Sequence, residues 1–144
     1  MKDSLIVAAQ FLLIGLLAWP FSEVHWWWPA ALLAMPGIAF GLWTLAHNRP
    51  GNFNIRPLIR ENSVLITDGP YALVRHPMYV CVLWLGIAAV VLYATPLKIG
   101  LLVLLYVVLR TKAGMEEALL LAHFADYPEY CSKVGRFFPR RAPG

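Results

Sequence analysis

The chain has 144 residues, room for one domain, and 60% of them are hydrophobic while only 14% are charged, against roughly 45–50% and roughly 25% in soluble globular domains. Net charge is +4, from 12 Lys and Arg against 8 Asp and Glu, and the two cysteines, Cys81 and Cys131, show no CxxC or Cys/His spacing. A disordered segment, a disulfide-stapled secreted module and a nucleic-acid binder are poor fits to these numbers, and two free thiols without a metal site are expected.

So much apolar surface makes a bilayer the expected solvent, and four apolar blocks follow in chain order, at about 5–21, 26–46, 78–94 and 96–112. A spanning helix needs about 20 residues, with a range of roughly 17–25. The first block has a long apolar run without a small-x-small cleavage site and is expected to stay attached. The second carries Ala34, Gly37 and Gly41 at helical spacing, which permits close packing within the chain or a homodimer face, and Pro36, which predicts a kink. The fourth is short, so Lys98 and Arg110 are expected to snorkel at its ends.

Lys and Arg gather at the N-terminus, in the loop 47–77 and after the fourth block, while Trp26, Trp27 and Trp28 form an aromatic belt at the opposite end. By the positive-inside rule both termini are cytoplasmic. The whole of 1–144 thus reads as a single all-α, polytopic, multi-pass integral membrane domain. Its four transmembrane helices form two hairpins around the loop 47–77, and the tail 113–144 holds a short amphipathic helix. The loop is dense in Pro, Gly, Arg and Asn yet carries Val64, Leu65, Ile66 and Tyr71, so it is expected to fold back and roof a site on the cytoplasmic side. The stripe Phe124, Tyr127, Tyr130 is expected to fasten the tail to the membrane surface.

Gln10 is the only strongly polar side chain in the middle of any apolar block. Exporters and pumps usually carry an ionisable residue there. The chemistry-bearing residues stand instead where the third block begins, at Tyr71, Arg75, His76 and Tyr79, and where the fourth ends, at Arg110, Lys112, Glu116 and Glu117. An antiparallel hairpin sets the two groups face to face. Each residue has a plain reading: His76 as a cap before Pro77, Tyr79 as an interfacial anchor, Arg75 as a lipid-phosphate contact, Lys112 and Glu116 as a solvated i,i+4 pair. Their concentration favours a site. A carboxylate can hold an ammonium, a guanidinium or imidazole can hold a carboxylate, and tyrosine faces attract a sulfonium. S-adenosylmethionine carries all three groups, although no Gly-x-Gly-x-x-Gly turn supports a Rossmann enzyme.

Gly69-Pro70-Tyr71 with Arg75-His76-Pro77-Met78-Tyr79, then Glu116-Glu117, then Tyr127, Tyr130 and Arg136-Phe137-Phe138-Pro139, resembles the isoprenylcysteine carboxyl methyltransferase family and its phospholipid N-methyltransferase relatives. The resemblance implies a helical membrane methyltransferase that encloses S-adenosylmethionine between the last two spans, the preceding loop and the tail. Its acceptor would be lipid-like or a small amphiphile, methylated on a carboxyl oxygen or an amine nitrogen. Carried over by position, Ser63, Val64, Leu65, Ile66, Tyr71, His76, Pro77, Met78, Tyr79 and Glu116 would bind the cofactor, with Glu116 on its ammonium, while Arg75 and Lys112 would orient the acceptor. Lys112 stands where carboxyl methyltransferases of the family have an arginine, and lysine lacks the planar fork that grips a carboxylate. If a proton must leave an amine acceptor, Glu117 or His76 is the candidate base. The rival reading is a non-catalytic small membrane scaffold assembled through Gly37 and Gly41, its charges only gripping membrane lipids.

Overall fold

A computed structural model describes residues 2–48 and 64–140. Six helices follow one another: α1 Lys2–Ala18, α2 Trp27–His47, α3 Pro70–Leu73, α4 Pro77–Tyr93, α5 Pro96–His123 and α6 Tyr127–Lys133. Prolines near the starts of α3, α4, α5 and α6 set φ where a helix needs no N–H donor. Between α4 and α5, Ala94 takes a left-handed backbone and Thr95 caps α5 by accepting the Lys98 N–H. α2 runs unbroken through Pro36.

The packing order departs from two sequential hairpins. α4 and α5 do pair, but α1 lies on α5 and α4 while α2 lies on α4, and among the described residues α1 and α2 do not pack on each other. The α1–α2 linker reaches the end of α4, with the His25 N–H donating to the Leu92 carbonyl at 3.0 Å. Gly37 and Gly41 both face α4: a Cβ on Gly37 would lie 2.9 Å from Trp84 Cδ1, and one on Gly41 3.6 Å from Cys81 Sγ. At the other end of α2 the His47 ring closes on Gly69, whose φ of +57° suits glycine and whose missing Cβ leaves room for the ring. His47 Nε2 meets Asp68 Oδ1 at 3.1 Å.

α5 organises the core. Its buried stripe is Lys98, Leu101, Leu105, Leu109, Lys112, Ala113 and Glu117, the steps of three and four that keep one helix face inward. Leu101, Leu105, Leu109 and Ala113 pack with Leu13, Leu17, Tyr79 and Phe137. Lys98 is fully buried, so it does not snorkel. Its ammonium donates to the carbonyls of Leu16, Leu17 and Trp19 at 2.9, 2.7 and 2.5 Å and lies 4.3 Å from the Tyr93 ring centre. Leu16 and Leu17 are in the last turn of α1, whose carbonyls lack intrahelical partners, and Trp19 directly follows it.

The all-α class holds, but the four-span, multi-pass membrane architecture is corrected. Among the described residues, one helix, Trp27–His47, is long and apolar enough to cross a membrane. α1 and α4 have 17 residues each, a rise of about 26 Å against a hydrocarbon thickness of about 30 Å. α5 has the length, at 28 residues, but its lysines, arginine and glutamates are set too densely along the helix, and three of them turn inward onto protein partners. The aromatic stripe of the tail also turns inward: Tyr127 and Tyr130 are buried with Val134, against Leu65, Leu120 and Phe124. One stripe of α5 and parts of α1 and α4 are spent on helix packing, while many large apolar side chains of these helices, among them Leu12, Ile87 and Val103, stay exposed.

Gly37→Leu is expected to force α2 away from Trp84 and to lower stability by about 1–3 kcal/mol, as overpacking does. Chemical unfolding of the purified protein reads this directly, and an unchanged midpoint would refute the close contact.

Candidate functional site

At the far end of α5 from Lys98, the buried stripe meets the start of α4. Glu117, one turn beyond Ala113, is carried inward by that same stripe. Three cationic side chains converge on its carboxylate. Arg75 donates from Nε at 2.9 Å, His76 from Nε2 at 3.1 Å, and Arg136 from Nε at 3.0 Å, with a second Arg136 contact from Nη2 to the other oxygen. Arg75 also donates to the carbonyls of Cys131 and Val134 at 3.2 and 2.5 Å. Backbone pairing brings the tail here: Val74 and Gly135 form a parallel bridge, and the N–H groups of Arg75 and His76 donate to the carbonyls of Gly135 and Arg136 at 2.9 and 3.2 Å.

Pro77 ends the extended stretch and starts α4, which leaves His76 at the N-cap with no side-chain cap bond. Its imidazole instead bridges the two acids, Nε2 to Glu117 at 3.1 Å and Nδ1 to Glu116 Oε2 at 3.5 Å. Tyr79, a turn along α4, stacks on His76 with ring centres 5.3 Å apart and donates its hydroxyl to Glu116 Oε1 at 2.7 Å. Phe137 closes edge-on against both rings. Tyr71 is half-buried, and its carbonyl accepts from the Tyr130 hydroxyl at 2.6 Å. Lys112, 2% exposed, lies 5.2 Å from the centre of the Tyr79 ring and donates to Gln10 Oε1 at 2.9 Å.

Electrostatics separate the adjacent acids. Burial opposes charge on Glu117, yet the hydrogen bonds from His76, Arg136 and Arg75 outweigh it and hold the carboxyl well below the usual range. Burial likewise opposes charge on His76, but its bonds to Glu116 and Glu117 outweigh that and raise the imidazole above its usual value. Burial, then the charge on Glu116, pushes the Tyr71 phenol up. Glu117 and His76 are therefore a charged pair, and neither is arranged to act as a base. Glu116 has no cationic partner other than His76 among the described residues and keeps 20% of its side chain exposed, against 8% for Glu117.

His76, Tyr79, Glu116 and Lys112 come together around one ring, with Pro77 buried beneath and Met78 half-buried. Leu65 packs on the tail cluster, Ile66 is half-buried and Val64 is exposed. Ser63 lies outside the described residues. Arg75 is tied to Glu117 and two carbonyls. The hub role of Glu117, the reach of Arg136 and the partnership of Gln10 with Lys112 were missed. The spacing Leu105, Leu109, Ala113 continued by one step of four arrives at Glu117, a signal that was present in the sequence. Arg136 opens the motif Arg136-Phe137-Phe138-Pro139 and Gln10 is the one strongly polar side chain in the middle of an apolar block, but neither mark names a partner. Among the described residues no group of three or more His, Cys, Asp or Glu side chains could hold a metal ion.

The chain belongs to the isoprenylcysteine carboxyl methyltransferase family, whose profile matches residues 30–122. It is similar to the cobalt-zinc-cadmium resistance protein CzcN of Cupriavidus metallidurans, 38% identical over 86 residues, which are 56% of this chain and 38% of that protein. It is also similar to the nickel-cobalt-cadmium resistance protein NccN of Alcaligenes xylosoxydans xylosoxydans, 33% identical over 83 residues, again 56% of this chain and 38% of the relative. The chain thus spans well under half the length of these relatives. No solved structure matches it.

The caged pair predicts a stability maximum in mildly acid solution. The Glu117 contribution is complete above the ordinary carboxyl value of 4.5 and disappears as pH falls through its depressed value. The His76 contribution is complete below the ordinary 6.5 and disappears as pH rises through its raised value. Unfolding midpoints measured against pH should therefore peak between about 4.5 and about 6.5. Glu117→Gln should flatten the acid limb and cost about 3–5 kcal/mol, because it leaves cations buried without their anion.

Proposed function

We propose that this protein is an S-adenosylmethionine-dependent methyltransferase acting on a lipid-like or small amphiphilic acceptor, at a carboxyl oxygen or an amine nitrogen. The observation that carries the reading is the division of labour between the paired acids. Glu117 is saturated by Arg75, His76 and Arg136, whereas Glu116 is steered by the Tyr79 hydroxyl and the His76 ring and remains partly exposed. A carboxylate held in that way suits an ammonium, and the neighbouring half-buried Tyr71 ring is of the kind that attracts a sulfonium. These groups are of the kind that S-adenosylmethionine requires, which supports the reading.

Glu116, Tyr71, Tyr79 and His76 would hold the cofactor in this reading, and Lys112, across the Tyr79 ring, would face the acceptor. Leu65, Ile66, Pro77 and Met78 belong to its apolar surroundings. When bound, S-adenosylmethionine supplies a methyl group already activated by its sulfonium. What remains for the protein is alignment and exclusion of water, which supply roughly 7–11 kcal/mol in well-oriented reactions. His76 and Glu117 serve that end as a rigid charged wall. Large exposed apolar side chains along α1 and α2, among them Leu5, Phe11, Leu12, Leu32, Met35 and Leu42, support an amphiphilic acceptor and contact with membrane lipids.

Calorimetric titration of the purified protein with S-adenosylmethionine should show binding that Glu116→Ala weakens by about tenfold or more, the loss of one charge-assisted contact. Equal affinity in the variant would remove the ammonium contact. Transfer of radiolabelled methyl groups into a total lipid extract or a panel of amphiphilic acids and amines then identifies the acceptor, and the absence of any transfer with cofactor bound would count against catalysis.

A further inference from the structure

Gln10 and Lys112 are the two buried polar side chains that the cage around Glu117 does not use and that lie at its border. They stand 102 positions apart in sequence yet share a hydrogen bond of 2.9 Å, with Gln10 only 8% exposed. Gln10 comes from α1, outside the region 30–122 that defines the family. A buried ammonium ordinarily demands an anion. Among the described residues no carboxylate stands at ion-pair distance from Lys112. The groups that face it are the Gln10 amide from α1, the Tyr79 ring from α4, and Glu116 one turn further along α5.

An amide oxygen is suited to this position in a way its neighbours in size are not. Glutamate would neutralise the lysine as a closed ion pair, taking its charge out of play. Leucine would leave the ammonium without an acceptor on that side and favour the neutral amine. Burial works toward the neutral amine of Lys112, and the glutamine dipole opposes that while leaving the charge available. The ring that Lys112 lies over is the one whose hydroxyl holds Glu116, so the position of the lysine is coupled to the corner proposed for the cofactor.

We propose that Gln10 is a positioning residue of this site: its hydrogen bond fixes the Lys112 ammonium over the Tyr79 face and keeps it charged where the acceptor arrives. The acceptor part of that statement rests on the methyltransferase reading above; the hold of Gln10 on Lys112 does not. α1 thereby contributes to the site from outside the family region.

The test follows the lysine itself. Full-length protein labelled with 13C-lysine is titrated by NMR, with the Lys112 signal identified by its loss in Lys112→Arg. Gln10→Leu should lower the Lys112 midpoint by about one pH unit or more and Gln10→Glu should raise it, a readout that general loosening of the helices would not move in opposite directions. Identical Lys112 titrations in wild type and both variants would overturn the proposal, and where Gln10→Leu does not fold, Gln10→Glu alone decides. Failure of the wild type to bind S-adenosylmethionine would defeat the methyltransferase reading, while the Lys112 midpoints would still judge Gln10.

Discussion

A carboxylate taken out of water must be met by enough charge and hydrogen bonding to repay its desolvation, and Glu117 dictates what surrounds it. Its oxygens engage Arg75 and His76 just before α4 and Arg136 from the chain beyond α6. Two segments distant from each other in sequence are therefore pinned at one end of α5. The parallel bridge between Val74 and Gly135, and the burial of Tyr127 and Tyr130 under the tail, are the backbone and apolar parts of the same closure. Because Glu117 absorbs the guanidinium groups, Glu116 is left with a phenol and an imidazole edge. That asymmetry between adjacent identical residues is the source of the site's chemical character.

The opposite end of α5 solves a similar problem with the opposite charge. Among the described residues Lys98 meets no carboxylate; it is matched by carbonyls at and just beyond the end of α1 and by the rings of Phe21 and Tyr93. A cation near a helix C-terminus also complements the negative end of the helix dipole. α5 is thus an apolar stripe of leucines with a charged residue locked at each end, and α1 is docked along it by Lys98 at one end and by Gln10 with Lys112 near the other. The helices most apolar in composition are held in register by their few polar contacts.

That arrangement explains why hydropathy misled about architecture. Snorkelling assumes that a flanking lysine reaches out to water, whereas both Lys98 and Lys112 reach inward to partners on α1. Segments of 17 residues were counted as spans together with flanking residues that form linkers and turns. The Phe124, Tyr127, Tyr130 stripe has the spacing of a membrane-surface anchor, and it has the same spacing when it packs against Leu65 and Leu120.

Local physics settled a good deal in advance. Helical character, the position of His76 at a helix start ahead of Pro77, and the meeting of two chemistry-bearing clusters across the α4–α5 hairpin were legible from proline placement, apolar runs and antiparallel geometry. The choice between Glu116 and Glu117 needed the phase of α5, which its leucine spacing records but which depends on knowing which stripe is buried. The convergence of Arg136 and Gln10 on the site came only from tertiary packing. Each is brought to its partner by the path of an entire helix or strap, and long-range contacts of single polar side chains leave no periodic trace in a chain.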